Sequence, residues 1–216
     1  MSRLRVLCLH GYTQDAERFS RVLSLGLRPH VRDVAELVFV DAPHAARDPA
    51  GGRAWWHPEL VSSGASKSWA YGGWEETLDF LRDVDRARGP FEGLLGFSQG
   101  AAVASSLAAH LTSPSAKPSV SFRFAILAGG FAYRGQGAGA LFRHKPLRMP
   151  SLHLYGERDK LVKPTSSEEL ARLFDSPTVH IHPGGHSFPQ TQPSLDIVAE
   201  FLRAQGEACA GTGGAG

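Results

Sequence analysis

The sequence LLGFSQGAA, residues 94–102, is the most informative stretch of this chain for its fold class. Its first four residues form an apolar run of the length of a buried strand, and an Ala-rich stretch with helical spacing follows. Ser98 therefore lies on a sharp turn between a strand and a helix. Gly96 and Gly100 lie on either side of it, where the missing Cβ atoms let neighbouring backbone approach closely. The pattern predicts a serine hydroxyl that projects from the end of a strand.

Apolar runs of the same kind recur along the chain and alternate with stretches of helical spacing. Continuous apolar runs are typical of buried parallel strands, and their alternation with helices predicts a parallel sheet of about six strands with helices on both faces. The predicted strands are Arg5–Leu9, Glu36–Val40, Leu94–Phe97, Phe124–Ala128, Ser151–Tyr155 and Thr178–His182. The predicted helices are Ala16–Leu27, Trp74–Ala87, Ala101–Leu111, Ser166–Phe174 and Pro193–Ala204.

Two long segments interrupt this alternation. Residues 45–73 carry aromatic residues among Gly, Ser and Pro, and we expect them to form an ordered cover, whereas residues 134–149 are Gly-rich. The sequence shows no internal repeat or linker, so residues 1–204 are predicted to form a single α/β domain. Residues 205–216 are small and Gly/Ala-rich, which favours a flexible tail.

Composition excludes several classes of partner. The 216 residues carry 23 Lys+Arg and 21 Asp+Glu in alternation, a net charge of +2, so no basic face is expected for nucleic acid or a membrane surface. No stretch approaches the roughly 20 apolar residues of a membrane span, and the first apolar run is too short for a secretory signal. Cys8 and Cys209 suggest neither a disulfide framework nor a metal site. We therefore expect a cytoplasmic protein.

The pattern G-x-S-x-G between a strand and a helix indicates that Ser98 is a nucleophile, although a helix N-cap is the alternative. Such a serine needs a base and an acid, which follow it in the order acid, then histidine, after later strands. Asp159 follows the fifth predicted strand, with Glu157 as a rival two residues away. His186 follows the sixth strand after Pro-Gly-Gly, and we predict that it is the base.

The other histidines lack this context. His180 and His182 share one face of a strand, which weakly suggests a metal pair, but no further ligand cluster completes a site, so we expect no metal. His10 ends the first strand beside Gly11 and is interpreted as structural.

A serine hydrolase also needs N–H donors for the oxyanion of its tetrahedral intermediate. One is expected from the backbone of Gln99, the residue after the nucleophile, and the other from the loop after the first strand. Tyr12 N–H is the predicted second donor, with Thr13 as the rival.

Apolar residues near the predicted strand ends are the candidate substrate contacts. Trp55 and Trp56 either line an acyl pocket or pack in the core beneath the long loop. The other candidates, which follow strands near the same edge of the sheet, are Phe131, Leu161, Val162 and Phe188.

Five motifs, in this order, resemble the FSH family of serine hydrolases. They are LRVLCLHGYTQ (4–14), RAWW (53–56), GPFEGLLGFSQGAA (89–102), PSLHLYGERDKLV (150–162) and PGGHSFP (183–189). The resemblance implies a small, cofactor-independent α/β-hydrolase fold without a large cap domain. It places the nucleophile on Ser98, the acid on Asp159, the base on His186, and the oxyanion donors on Tyr12 and Gln99.

The predicted function is hydrolysis of carboxylic esters, small-molecule substrates with an apolar acyl group of medium or greater length. The first alternative is an acyl thioesterase, because the same three residues cleave both bonds. The second is a ligand-binding receptor that retains the fold without turnover. The sequence does not fix the substrate or the oligomeric state.

Overall fold

The computed structural model describes residues 3–63, 66–112, 122–133, 141–143 and 145–211. Six strands form one sheet in the order β10-β9-β8-β7-β1-β2, and every neighbouring pair in it is parallel. This confirms the predicted parallel sheet. The strands of the described residues are β1 Leu4–Leu9, β2 Ala35–Val40, β3 His44–Ala45, β4 Arg53–Ala54, β5 His57–Ser63, β6 Ser66–Gly72, β7 Gly93–Phe97, β8 Phe124–Ala128, β9 Ser151–Gly156 and β10 Thr178–His182.

Helices connect the strands of the large sheet. In the described residues they are α1 Ala16–Ser24, α2 Leu27–Val31, α3 Trp74–Arg88, α4 Gln99–Thr112, α5 Pro164–Ala171 and α6 Gln192–Gly211. The predicted helix 16–27 ends at Ser24 as α1, and a separate helix, α2, begins at Leu27. Helix α6 continues seven residues past its predicted end, so residues 205–211 are helical where a flexible tail is predicted; residues 212–216 lie outside the described residues.

Apart from the edge strand β10, which is largely exposed, the sheet is mostly buried on both faces, as expected for parallel strands whose connections are helices. One hydrophobic cluster lies under α3, α4 and α5 and includes Leu81, Val103 and Leu170. A second lies on the opposite face under α1, α2 and α6 and includes Phe19 and Val198. Together they fix the sheet, so that the carboxyl ends of its strands form a stable edge.

The long segment 45–73 forms small antiparallel elements of its own. Strand β3 pairs with β4, and β5 pairs with β6 in a hairpin whose tip, residues 64–65, lies outside the described residues. Trp55 and Trp56 between them are 0% and 1% exposed. The segment is thus anchored to the body of the molecule by two large buried side chains. In the other long segment, 134–149, residues 134–140 and 144 lie outside the described residues.

Within the part of the chain that the structure describes, no helix combines the length and apolarity needed to cross a bilayer.

Candidate active site

Ser98 occupies a strained turn between β7 and α4. Its φ is +53°, in the left-handed region that non-glycine residues rarely adopt, and its N–H donates to Ala128 O at 2.8 Å. A Cβ at Gly96 would collide with the carbonyl of Gly100, and a Cβ at Gly100 would collide with the carbonyl of Leu9. The two glycines are therefore required for the close approach of α4 to the strand ends.

The structure brings Ser98, Asp159 and His186 together in one series of hydrogen bonds. His186 Nε2 lies 2.9 Å from Ser98 Oγ, and His186 Nδ1 lies 2.6 Å from Asp159 Oδ2. Because a carboxylate can only accept, Nδ1 carries the proton of the neutral ring and Nε2 is free to accept the serine hydroxyl proton. This is the arrangement that a general base needs.

Backbone donors fix the carboxylate of Asp159. Its Oδ1 accepts from the N–H groups of Leu161 and Val162, both at 2.9 Å, and its side chain is 1% exposed. The rival Glu157 is exposed and its carboxylate makes no contact with the imidazole. Buried, fully bonded Asp159 is therefore the carboxylate positioned to orient His186.

The imidazole of His186 lies in a narrow slot. The ring of Phe97 lies 5.0 Å from it, centroid to centroid. On another side is Gly129, with φ +54°, where a Cβ would come 3.1 Å from His186 Cε1. These contacts restrict the ring orientations that are compatible with both of its hydrogen bonds.

Two backbone N–H groups near Ser98 are available as oxyanion donors. Gln99 is the first residue of α4, where backbone N–H groups lack a partner within the helix. Thr13 N–H donates to Arg53 O at 3.1 Å and is thereby occupied, whereas Tyr12 N–H has no acceptor among the described residues. The geometry therefore favours the N–H of Tyr12 over that of Thr13 as the second oxyanion donor.

A cavity of about 280 Å³ opens beside Ser98. None of the lining residues that the structure describes is charged, and the cavity is mostly apolar. Its lining residues are Tyr12, Trp56, Pro58, Tyr71, Ser98, Gln99 and Phe131. Sequence reasoning singled out Trp56 and Phe131 but missed Pro58 and Tyr71, which come from the β5–β6 hairpin. The only signal for them was the aromatic content of the long segment.

The other four candidate substrate residues do not line this cavity. Trp55 is buried in the core and its indole N–H donates to His10 O at 2.8 Å. Phe188 packs against Phe19 within the second hydrophobic cluster. Leu161 is 80% exposed, and it and Val162 contact the site through the backbone bonds to Asp159. For Leu161, Val162 and Phe188, closeness in sequence to the catalytic candidates did not lead to contact with the cavity.

His10 and His180 take structural positions. Burial lowers the pKa of His10, whose Nε2 accepts from Ala42 N–H while Nδ1 donates to Gly11 O. His180 bonds Ser194, and burial lowers its pKa. Across the described residues, no group of three or more His, Cys, Asp or Glu side chains is placed to hold a metal ion.

Comparison with known proteins gives consistent matches over nearly the whole chain. The family model "Serine hydrolase (FSH1)" matches residues 1–198. The chain is 36% identical over 219 residues to "Esterase OVCA2" from Homo sapiens, covering 92% of this chain and 95% of that protein. It is also 36% identical to "Esterase CG5412" from Drosophila melanogaster, covering 93% of this chain and 74% of that protein.

Solved structures share the fold at low identity. Acyl-protein thioesterase 2 from Zea mays superposes with a TM-score of 0.69 at 16% identity, over 95% of this chain and 94% of that chain. Esterase PE8 gives a TM-score of 0.66 at 24% identity, over 94% and 93% of the two chains. These likenesses support the same α/β-hydrolase architecture.

Proposed function

Given that the chain belongs to the FSH1 family of serine hydrolases, we propose that it hydrolyses carboxylic esters of apolar acyl groups through an acyl-enzyme formed on Ser98. The observation that carries the proposal is the hydrogen-bond series from Asp159 through His186 to Ser98, with the serine facing an apolar cavity.

The first half of the reaction forms the acyl-enzyme. His186 Nε2 accepts the Ser98 hydroxyl proton as Oγ attacks the ester carbonyl carbon. The carbonyl oxygen becomes an oxyanion that accepts from the N–H groups of Tyr12 and Gln99. The C–O bond to the alcohol then breaks, and the protonated imidazole gives its proton to the departing alkoxide. Asp159 stabilises the imidazolium throughout.

Water completes the cycle. His186 removes a proton from water as its oxygen attacks the acyl carbon, and the same donors hold the second oxyanion. Collapse of this intermediate returns the proton to Ser98 Oγ and releases the carboxylic acid. The cycle returns Ser98 and His186 to their starting protonation states and consumes one ester and one water.

The acyl group is inferred from the cavity. An uncharged lining of Trp56, Pro58 and Phe131 favours an apolar chain over a charged one. At roughly 30 Å³ per heavy atom, the share of one water in the liquid, about nine atoms fill a cavity of 280 Å³. We propose a medium-length chain inside the cavity, with the end of a longer chain leaving through its open mouth.

Ester hydrolysis is favoured over thioester hydrolysis by the two relatives, which cover most of this chain and are both named esterases. A series of matched esters and thioesters with acyl chains of increasing length tests both preferences. We expect kcat/KM to rise with the length of the acyl chain until the chain fills the cavity. We also expect kcat/KM to be higher for each ester than for its matched thioester. Equal rates for charged and apolar acyl groups would contradict the assigned cavity.

Replacement of the nucleophile tests the reaction itself. We expect Ser98→Ala to lower kcat for p-nitrophenyl esters by at least about 10⁴-fold, because no acyl-enzyme can form. Ser106→Ala makes the same chemical change in α4, where Ser106 Oγ donates to Ala102 O among the described residues, and should keep wild-type turnover. Circular dichroism would verify that both variants fold. Turnover by folded Ser98→Ala at the wild-type rate would refute the proposal.

A further inference from the structure

The side chain of Gln99 makes two buried hydrogen bonds to one short segment of backbone. Its Oε1 accepts from Trp55 N–H and its Nε2 donates to Trp56 O, both at 2.9 Å. The residue is 5% exposed. A carboxamide is the side-chain group that accepts and donates at once in this geometry, whereas a carboxylate can only accept. The pair of bonds therefore joins the start of α4 to the segment Arg53–Trp56.

The same segment is bonded to the other oxyanion loop. Arg53 N–H donates to Gln14 O at 2.7 Å, and Thr13 N–H donates to Arg53 O at 3.1 Å. Tyr12, whose N–H is the proposed second donor, directly precedes this pair. The segment Arg53–Trp56 thus lies between the two loops that carry the two proposed oxyanion donors.

Further hydrogen bonds make the segment a rigid spacer. The guanidinium of Arg53 donates to Ala42 O at 2.7 Å, and the indole of Trp55 donates to His10 O at 2.8 Å. The hydroxyl of Thr77, on α3, bonds Trp55 O. The segment is thus bonded to the residue after β1, to the loop after β2 and to α3. Its two bonds with Gln99 therefore fix the start of α4 relative to all three elements.

We propose that the Gln99 carboxamide is a positioning residue that sets the distance between the N–H of Tyr12 and the N–H of Gln99 itself, through the segment Arg53–Trp56. The inference rests on the proposed function, since it requires an oxyanion hole. Gln99 then has two separate roles: its main chain touches the reacting oxygen, and its side chain places the opposite donor. The same bonds hold Trp56 against the acyl cavity.

A merely structural role makes a different prediction. A buried amide that only stabilises the fold would, when replaced, lower the free energy of unfolding and leave kcat of the folded enzyme unchanged. A positioning role lowers kcat in the folded enzyme, because a displacement of about 1 Å in an oxyanion donor can cost on the order of 100-fold in rate.

The variant Gln99→Glu distinguishes the two roles through pH. A protonated carboxyl group has one O–H donor and one carbonyl acceptor, so it can replace both bonds of the amide, whereas the ionised form cannot donate to Trp56 O. Burial raises the pKa of an introduced carboxyl group, in extreme cases to about 8–9. We expect kcat of this variant to be about 10- to 100-fold below wild type at high pH, and the ratio of variant to wild type to rise as the pH falls.

Taking the ratio removes the titration of the groups that both enzymes share. Among the described residues, those that belong to the segment, contact it or line the cavity are Arg53, His10, Tyr12, Tyr71 and Tyr133, with His186 across Ser98. Each is present in both proteins.

Two more variants complete the design. Gln99→Met keeps the length of the side chain and removes both bonds, so its kcat should be low at every pH, with KM changed less than kcat. Gln192→Glu makes the same amide-to-acid change on the exposed start of α6 and should match wild type throughout.

The outcomes separate this inference from the proposed function. If Ser98→Ala abolishes turnover while folded Gln99→Met keeps wild-type kcat, or while the ratio of folded Gln99→Glu to wild type does not change with pH, the positioning role is overturned and the proposed function stands. If neither Gln99 variant folds, the carboxamide is a folding element and the inference is likewise overturned. Full turnover by Ser98→Ala overturns the proposed function itself.

Discussion

At the scale of single residues, Ser98 was predictable because two glycines and a strand-to-helix turn leave a distinct local signature. The sequence also places Asp159 and His186 after β9 and β10, and the carboxyl ends of parallel strands meet at one edge of a sheet. Their mutual contact depends on three loops closing together, which no local pattern encodes. The structure supplies that contact, with distances of 2.6 and 2.9 Å.

Other residue predictions failed or stayed open for a physical reason. Phe188 lies two residues after His186, yet its side chain points into the core against Phe19. Trp55 and Trp56 are adjacent in sequence, but only Trp56 lines the cavity. In helices and strands the direction of a side chain follows from its position in a repeating pattern, but irregular backbone has no such pattern. Closeness in sequence therefore did not reveal which of these residues line the cavity.

Asp159→Asn tests the role of the acid at this scale. The Asn side chain has one acceptor oxygen and one donor nitrogen. If its oxygen accepts from the two backbone N–H groups, its nitrogen faces His186 Nδ1 and must donate to it. The proton of the neutral imidazole then lies on Nε2, which can no longer accept the serine proton. We expect kcat to fall by about 10⁴-fold with the fold retained. Steady-state kinetics on an apolar ester would measure it.

Asp33→Asn is the matched control, because the Asp33 side chain is 89% exposed. Its kcat should equal that of wild type. A folded Asp159→Asn enzyme within a few-fold of wild-type kcat would remove Asp159 from the proposed mechanism.

At the scale of elements, the sequence predicted the six strands of the sheet but not the smaller elements of residues 45–73. Most of the sheet strands are largely apolar runs, which need no partner to be recognised, whereas β10 has the mixed sequence TVHIH. The hairpin β5–β6 is mixed in polarity, and its strands are defined by their pairing with one another. The early end of α1 was missed as well, because the apolar spacing continues across the break into α2.

Substitution of Gly52 by Ala tests whether the chain before Trp55 controls the position of the loop that carries Tyr12. Gly51 and Gly52 both have positive φ, +71° and +88°, but a Cβ at Gly52 would collide with the carbonyl of Thr13, whereas nothing lies within 4 Å of one at Gly51. Both Ala variants should lose about 1 kcal/mol of unfolding free energy from backbone strain.

Only Gly52→Ala should displace the loop that carries Tyr12, and we expect its kcat to fall by about 10- to 100-fold. Gly51→Ala serves as the control and should keep wild-type kcat. Parallel thermal unfolding and ester kinetics would separate the two effects. Equal kcat in the two variants would show that the contact of Gly52 with Thr13 does not control the oxyanion loop.

At the scale of the whole molecule, stability depends on imidazoles that are buried in neutral form. Burial lowers the pKa of His153 to about 3, and its Nε2 lies 3.0 Å from Ser151 Oγ. The pKa values of His10 and His182 are also lowered by burial. Since the unfolded chain binds protons on these rings below about pH 6.5, the free energy of unfolding falls as the pH falls through that value.

His153 alone should lower the free energy of unfolding by about 2 kcal/mol between pH 7 and pH 5. In His153→Leu, the difference in unfolding free energy between these pH values should shrink by that amount. Ser151→Ala removes the partner of the ring but keeps the titrating group, so its dependence on pH should remain as steep as in wild type. Urea unfolding at both pH values measures this, and an unchanged difference in His153→Leu would contradict the assignment.

In the proposed mechanism, Ser98 is the activated nucleophile of this serine hydrolase. This role can be measured by labelling the protein with a fluorophosphonate and mapping its peptides in a mass spectrometer. We expect a single adduct on the Ser98 side chain in wild type, slow labelling in His186→Ala, and none in Ser98→Ala. An adduct on another serine, or equal labelling of Ser98→Ala, would contradict it.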